Sequence, residues 1–273
     1  MRSRKKHLLA GTLIAVVASP ALAQDQTPSG TQVTGNVALV SDYLFRGLSQ
    51  TWGRPALQGG VDVNDGRWHA GAWTSNVSRN SYPGGDVELD LYGDVGLFQH
   101  GDWSARAGLY GYLYPGANLD NARPPLGSRT LNTLEANASL NWKIWTLKYS
   151  RALTDYFGAD IEQGFSGNTR GTQYLQLDGL IPLGERWSMA PHVGYTYYHR
   201  GVATPLANGA SDPSYADIGL ALKCAPSDKF SVSLGVSHAS NDAFYRHVVS
   251  FRDGGDVRDL GGTRGVLSIA VTF

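Results

Sequence analysis

Cys224 is the only cysteine in this chain, so no internal disulfide can staple the fold. We read it as a small buried or lipid-facing side chain. Long apolar runs are missing as well. The longest, residues 8–18 (LLAGTLIAVVA), falls short of the roughly 20 residues a membrane-crossing helix needs, and no later run approaches that length. Helical membrane spans are therefore excluded. An excess of charge is also lacking: 23 Lys and Arg face 23 Asp and Glu. Nothing resembles the basic patch of a nucleic-acid-binding protein. Methionine is scarce, with two in the whole chain.

The first residues carry an export pattern. Arg2, Arg4, Lys5, Lys6 and His7 precede the apolar run, and Ala21, Leu22 and Ala23 follow it as an A-x-A cleavage site. Residues 1–23 are expected to be a signal peptide, cleaved after Ala23. The mature chain would then hold 19 basic against 23 acidic residues, a mildly acidic balance. A short periplasmic segment, 24–32, would lead into one domain, 33–273.

Glycine is abundant (34), and so are tyrosine (14) and tryptophan (7). The dominant pattern has period two. In 87–98, Val87, Leu89, Leu91, Val95 and Leu97 share one face, and Glu88, Asp90, Tyr92 and Asp94 share the other. Such alternation would scatter apolar groups around a helix, so it marks strands. Twelve segments read this way: 33–43, 55–63, 68–77, 87–98, 103–114, 133–142, 145–153, 172–181, 187–198, 215–224, 230–240 and 265–273. Their connections alternate in length. Those at 64–67, 99–102, 143–144, 182–186 and 225–229 are short, whereas the others are long, up to 241–264. An all-β, 12-stranded antiparallel transmembrane β-barrel has this asymmetry, with short periplasmic turns and long outer loops.

Aromatic placement fits that architecture. Trp68, Trp103, Trp142, Trp145, Trp187, Phe230 and Phe273 gather at the short-turn ends as one interfacial girdle. Tyr43, Phe45, Tyr110, Tyr112, Tyr114, Tyr149, Tyr195, Tyr197 and Tyr215 are expected to form the second. The polar phase assigns Asp62, Glu88, Asp90, Asp94, Arg106, Glu135, Lys148, Asp178, Asp217 and Lys223 to the lumen. Seven of these are acidic and three basic, which in an open pore would enrich cations. A 12-stranded barrel lies between side-chain-filled and open barrels, so the same groups could instead pair across the lumen and fill it. Asp94 and Arg106, across one short turn, are near enough to face each other.

The stretch Ser41, Asp42, Tyr43, Leu44, Phe45, Arg46, Gly47, Leu48, Ser49, Gln50, continuing through Pro55 to Gly60, resembles the start of the TorF family of porin-like proteins, formerly a conserved hypothetical family. Tyr114-Pro115-Gly116-Ala117 and Thr154-Asp155-Tyr156-Phe157-Gly158 are similar to later segments of that family. The resemblance implies a Gram-negative outer-membrane barrel for passive diffusion of small hydrophilic solutes or ions, without a defined cargo. Within the motif, Asp42 and Arg46 are expected to order the first loop by pairing, with Gly47 making a turn. A ligand-contact role is the other reading. Phe273, with apolar residues at alternate positions before it, resembles the signal read by the barrel-assembly machinery. Membrane lipids and lipopolysaccharide are the expected surroundings.

One enzymatic alternative stands beside this. His238-Ala239-Ser240-Asn241 resembles the H-x-S-N motif of outer-membrane lipid A deacylases, in which a histidine activates a serine nucleophile. The motif is short and that family's barrel smaller, so an interfacial His and Ser at a strand end is the plainer reading. No metal-ligand cluster forms among His69, His100, His192, His199, His238 and His247. Gly59-Gly60 and Gly254-Gly255 lack the strand-to-helix context of a phosphate loop. No cofactor is expected.

Overall fold

The computed structural model describes residues 30–206 and 208–273. The expected signal peptide, its cleavage site and residues 24–29 lie outside them. Twelve antiparallel strands close into a barrel: β1 (Gln32–Val40), β2 (Ala56–Asn64), β3 (Trp68–Asn76), β4 (Val87–His100), β5 (Trp103–Leu113), β6 (Thr133–Trp142), β7 (Trp145–Ala152), β8 (Gln173–Gly179, continued by Ile181–Pro182), β9 (Trp187–Tyr197), β10 (Tyr215–Ser227), β11 (Phe230–Ala239) and β12 (Gly262–Thr272). Each strand pairs with its sequence neighbours, and β12 returns to β1 with Val37 opposite Val271. Closure leaves no unpaired edge, which in hydrocarbon would cost several kcal/mol for each orphaned backbone group. At the seam, the Gly35 and Phe273 amides exchange hydrogen bonds of 2.8 and 2.9 Å, and the Phe273 ring lies where a side chain on Gly35 would stand.

The short connections are made by residues suited to tight reversal. In the β2–β3 turn, the Asn64 carboxamide oxygen accepts from the Gly66 amide (2.7 Å) and the Asp65 carboxylate from the Trp68 amide (2.6 Å). Gly66 takes a left-handed φ of +87°, a conformation that strains any side chain. The long connections gather at the other end.

Strand alternation sorts the side chains. Leu57, Val61 and Val63 of β2 and Leu267, Ile269 and Val271 of β12 face outward, whereas Gln58, Ser268 and Ala270 face in. Cys224 is half-buried on the outward phase of β10. At the turn end, Trp68, Trp103, Trp142, Trp187, Phe230 and Phe273 are exposed outward, with Trp145 half-buried; Trp103 and Trp142 stack at 5.6 Å.

The loop end corrects the expected second girdle. Tyr149, Tyr195 and Tyr197 do face outward, at 37, 48 and 45% exposure. Tyr43, Phe45, Tyr110, Tyr112, Tyr114 and Tyr215 are instead enclosed, each at 5% or less. Tyr110, Tyr112 and Tyr114 share the inward phase of Arg106, and their phenols need partners that hydrocarbon cannot offer. The Tyr110 hydroxyl donates to Asp90 (2.9 Å) and the Tyr112 hydroxyl to Glu135 (3.3 Å). The first strand is also shorter than expected, ending at Val40 rather than 43, because the chain turns inward at Ser41.

The outward phase makes a depth-dependent forecast. Leu220 stands mid-strand on β10 between the exposed Ile218 and Leu222. Leu220→Arg should cost about 2–4 kcal/mol in a reversible denaturant titration in vesicles, whereas Tyr197→Arg at the strand end should cost about 0–1 kcal/mol. Equal costs would contradict this placement.

Candidate functional site

Residues 41–53 leave the wall and fold into the lumen. Leu44–Phe45 pairs with Leu48–Ser49 as a minimal hairpin, reversed at Arg46 (φ +49°) and Gly47 (φ +78°). The tip is packed tightly: a Cβ on Gly47 would stand 2.9 Å from that of Asp217 and 3.0 Å from that of Ala239. Only glycine satisfies both the backbone and the space there. Asp42 ties the neck, accepting from the Ser49 hydroxyl (2.6 Å), the Thr51 hydroxyl (2.9 Å) and Arg264 of β12 (3.1 Å).

Arg46 does not pair with Asp42, contrary to expectation. It reaches across the lumen to β6, where its Nη2 donates to both Glu135 oxygens at 2.9 and 2.7 Å; its Nη1 donates to the Tyr156 hydroxyl at 2.8 Å. The guanidinium lies 4.2 Å over the Tyr174 ring and 4.8 Å over that of Phe45. A delocalised cation suits this role, since it stacks and forks at once. Around it, Tyr43 meets Trp73 edge to face (5.3 Å), and Phe45 meets Tyr112 (5.3 Å) and Phe157 (5.4 Å) likewise. The Tyr43 hydroxyl donates to Glu88 at 3.2 Å, and that of Tyr82 donates to Gln50. The motif from Ser41 to Gln50 is therefore a plug with a socket, built from β3, β4, β5, β6, β8 and two later loops.

Of the ten charged residues assigned to the lumen by phase, eight fall into four groups. Glu135 holds Arg46. Asp62, Asp94 and Arg106 meet around His69: Asp94 contacts Nδ1 (2.8 Å), Asp62 contacts Nε2 (3.0 Å), and Arg106 pairs with Asp94. Asp178 and Asp217 bracket His192 at 2.6 Å each. Glu88 and Asp90, fully enclosed on one face of β4, each keep one oxygen without a hydrogen-bond partner. Of the remaining two, the Lys148 ammonium lies 5.7 Å from the Tyr110 ring, and Lys223 is buried on β10.

His69 and His192 were not foreseen, and they belong to one repeated arrangement. Gly71, two residues after His69, stands opposite both Asp62 and Tyr92. The Tyr92 ring crosses over this glycine and donates to Asp62 at 2.7 Å. Gly194, two residues after His192, stands opposite Asp217, and the Tyr174 ring crosses over it to donate to Asp217 at 3.1 Å. Each glycine leaves the gap that lets a tyrosine reach across a strand. Each histidine faces a carboxylate on both nitrogens, an arrangement it satisfies fully only as an imidazolium.

His238 and Ser240 do not engage one another. The exposed His238 Nδ1 pairs with the Thr263 hydroxyl (2.9 Å), and the Ser240 hydroxyl accepts from the Ala216 amide (2.9 Å).

A family model described as a bacterial protein of unknown function (Gcw_chp) matches residues 24–270. No curated protein matches the chain. Among solved structures, the NanC porin superposes with a TM-score of 0.52 at 11% identity, covering 89% of this chain and 99% of that one. The KdgM porin, solved in complex with disordered oligogalacturonate, gives 0.51 at 5% identity, with the same 89% and 99% coverage. At such identities the likeness is one of fold: this is a porin-like barrel.

The plug's ionic contact can be tested on its own. Arg46→Ala leaves Glu135 buried without its cation and should destabilise the barrel by about 3–5 kcal/mol. Replacing both, as Arg46→Met with Glu135→Leu, should recover most of that loss. Thermal unfolding by circular dichroism separates the two. A single variant as stable as the parent would show that the pair does not hold the plug.

Proposed function

The chain belongs to the Gcw_chp family, and we propose that it serves as an outer-membrane channel for small hydrophilic solutes or ions whose conductance the hairpin 41–53 limits. The observation that carries this is the plug itself: a short loop seated across the lumen of a porin-like barrel, held by polar contacts rather than continuous with the wall. The TorF-like character of the same stretch agrees with the reading. In this view the short turns face the periplasm, the long loops face outward, and β12 with Phe273 is the strand presented to the assembly machinery.

The lean is toward cations. Arg46, Arg106, Arg264 and the two bracketed histidines sit against most of the lumenal acids, and among the described residues no ion pair reaches Glu88 or Asp90. These two lie on the same face of β4, beside Tyr43 of the hairpin. Oligogalacturonate, the polyanion in the KdgM complex, would meet repulsion there. A permanently closed structural barrel is the second reading, favoured by the three donors on Asp42. Hydrolysis has weaker support, since His238 and Ser240 are engaged apart.

Planar-bilayer recording discriminates between these. The parent should pass small currents with cation preference in a salt gradient. The preference should fade at high salt, as the Debye length falls from about 10 Å at 0.1 M to about 3 Å at 1 M. Replacing 43–50 by a short Gly-Ser bridge should raise conductance severalfold. Glu88→Gln with Asp90→Asn should move the reversal potential toward zero. A silent parent with a conducting bridge variant would replace the channel by the closed structural barrel. Silence in both would remove the channel altogether.

A further inference from the structure

The long loops contain no lysine. The mature chain's four lysines are Lys143 and Lys229 in short turns and Lys148 and Lys223 in strands, so the loop end relies on arginine and histidine for positive charge. Many of those arginines are neutralised: Arg79 pairs with Asp86, Arg129 with Asp160, and Arg246 with Asp242 and Asp259. Arg151, Arg170 and Arg200 are among those that are not. All three are exposed, and among the described residues none has a carboxylate within ion-pair distance.

Arg151 and Arg200, with His199, converge on the barrel's outer wall. Arg151 ends β7 on the outward phase that carries Leu147 and Tyr149 below it. His199 and Arg200 follow the exposed Tyr197 at the end of β9. Between the two strands, Gly171 (φ +92°) leaves a hollow. A Cβ there would lie 3.4 Å from the Arg151 guanidinium and 3.7 Å from the His199 ring. Arg200 passes 3.3 Å from the equivalent point at Gly167. Partial burial, then the fields of Arg200 and Arg151, hold His199 below the usual histidine range, so the patch is short of negative charge.

The wall beneath is built for lipid. Arg151, Gln173 and Tyr197 stand in one cross-strand row, with Tyr149, Leu175 and Tyr195 in the next row down. The Tyr149 hydroxyl donates to Gln173 at 2.8 Å, fixing the polar edge. Leu147, Leu177 and Val193 continue the exposed apolar surface toward mid-barrel. A ligand here would be anionic at the top and apolar below.

We propose that Arg151, His199 and Arg200, above the tyrosines of β7 and β9, bind the phosphorylated headgroup of an outer-leaflet lipid on the outside of the barrel. Arginine suits the role because its planar fork matches a phosphate with two parallel hydrogen bonds. Gln173 and the tyrosine hydroxyls would meet the sugar or glycerol part, and the leucines its acyl chains. The site rests on the outer-membrane reading but not on conduction.

The test uses the purified, folded protein in detergent, with bisphosphorylated lipid A as probe and bound lipid read by native mass spectrometry. Arg151→Gln with Arg200→Gln should weaken retention about tenfold or more, the scale expected for losing charge-assisted hydrogen bonds. Arg252→Gln with Arg258→Gln, elsewhere on the loop end, should leave it near the parent. Lipid A stripped of phosphate should bind weakly to all three proteins. Millimolar inorganic phosphate should not displace the lipid. Equal retention by parent and Arg151/Arg200 variant would overturn the proposal, as would equal binding of the stripped lipid. Displacement by inorganic phosphate would reassign the patch to free anions. The samples must also migrate faster unboiled than boiled on a detergent gel. Failure of that control would strike the barrel reading, separately from the lipid site.

Discussion

The contact between Arg46 and Glu135 organises the interior. Neither group could stand alone in so enclosed a place, since an unpaired buried charge is costly. Their pairing obliges a loop from one wall to cross the lumen and meet another. The remaining contacts are arranged around that crossing. Tyr174 and Phe45 stack on the guanidinium, Tyr156 and Tyr112 complete the hydrogen bonding, and Gly47 lets the tip close on β10 and β11. Asp42 fixes the base, so the hairpin has an anchor at each end.

The same economy appears in the wall. A barrel of twelve strands encloses more space than small side chains can fill, and aromatic rings and ion pairs occupy much of it here. The two Asp–His–Asp brackets tie three adjacent strands each: β2, β3 and β4 on one side, β8, β9 and β10 on the other. A glycine in the middle strand admits a tyrosine in both cases. Polar groups thus serve as cross-links on a surface that cannot rely on apolar packing.

Much of this was legible from period two and connection length. All twelve strands fall where alternation places them, the first ending early at Val40. The plug was not legible, because its residues are local in sequence and distant in contact. Nothing in Ser41 to Gln50 names Glu135 or Tyr156 as a partner. Tyr110 and Tyr112 sit at a strand end, where a girdle is expected, although their shared phase with Arg106 points inward. By residue type alone, His69 and His192 suggest no more than metal ligation. Their signal was a glycine two residues on, along the inward face, with acids on the neighbouring strands. The lumen is less acidic than phase alone implies, because two histidines and the hairpin's Arg46 stand among its carboxylates.

The hairpin's place in the chain has a kinetic consequence. Among the described strands only β1 precedes it, so it is synthesised before any part of its socket. Tyr43 meets Glu88 after 45 residues, Arg46 meets Glu135 after 89, and Asp42 meets Arg264 after 222. Such distant contacts form slowly, because a long loop must close before each one forms. Threading the hairpin into a finished barrel would force it past five other crowded loops. The natural order is the reverse: the sheet curls around a segment already waiting on its axis. Arg264, on the last strand, then reaches Asp42 as β12 meets β1, so sealing the wall and locking the plug become one event.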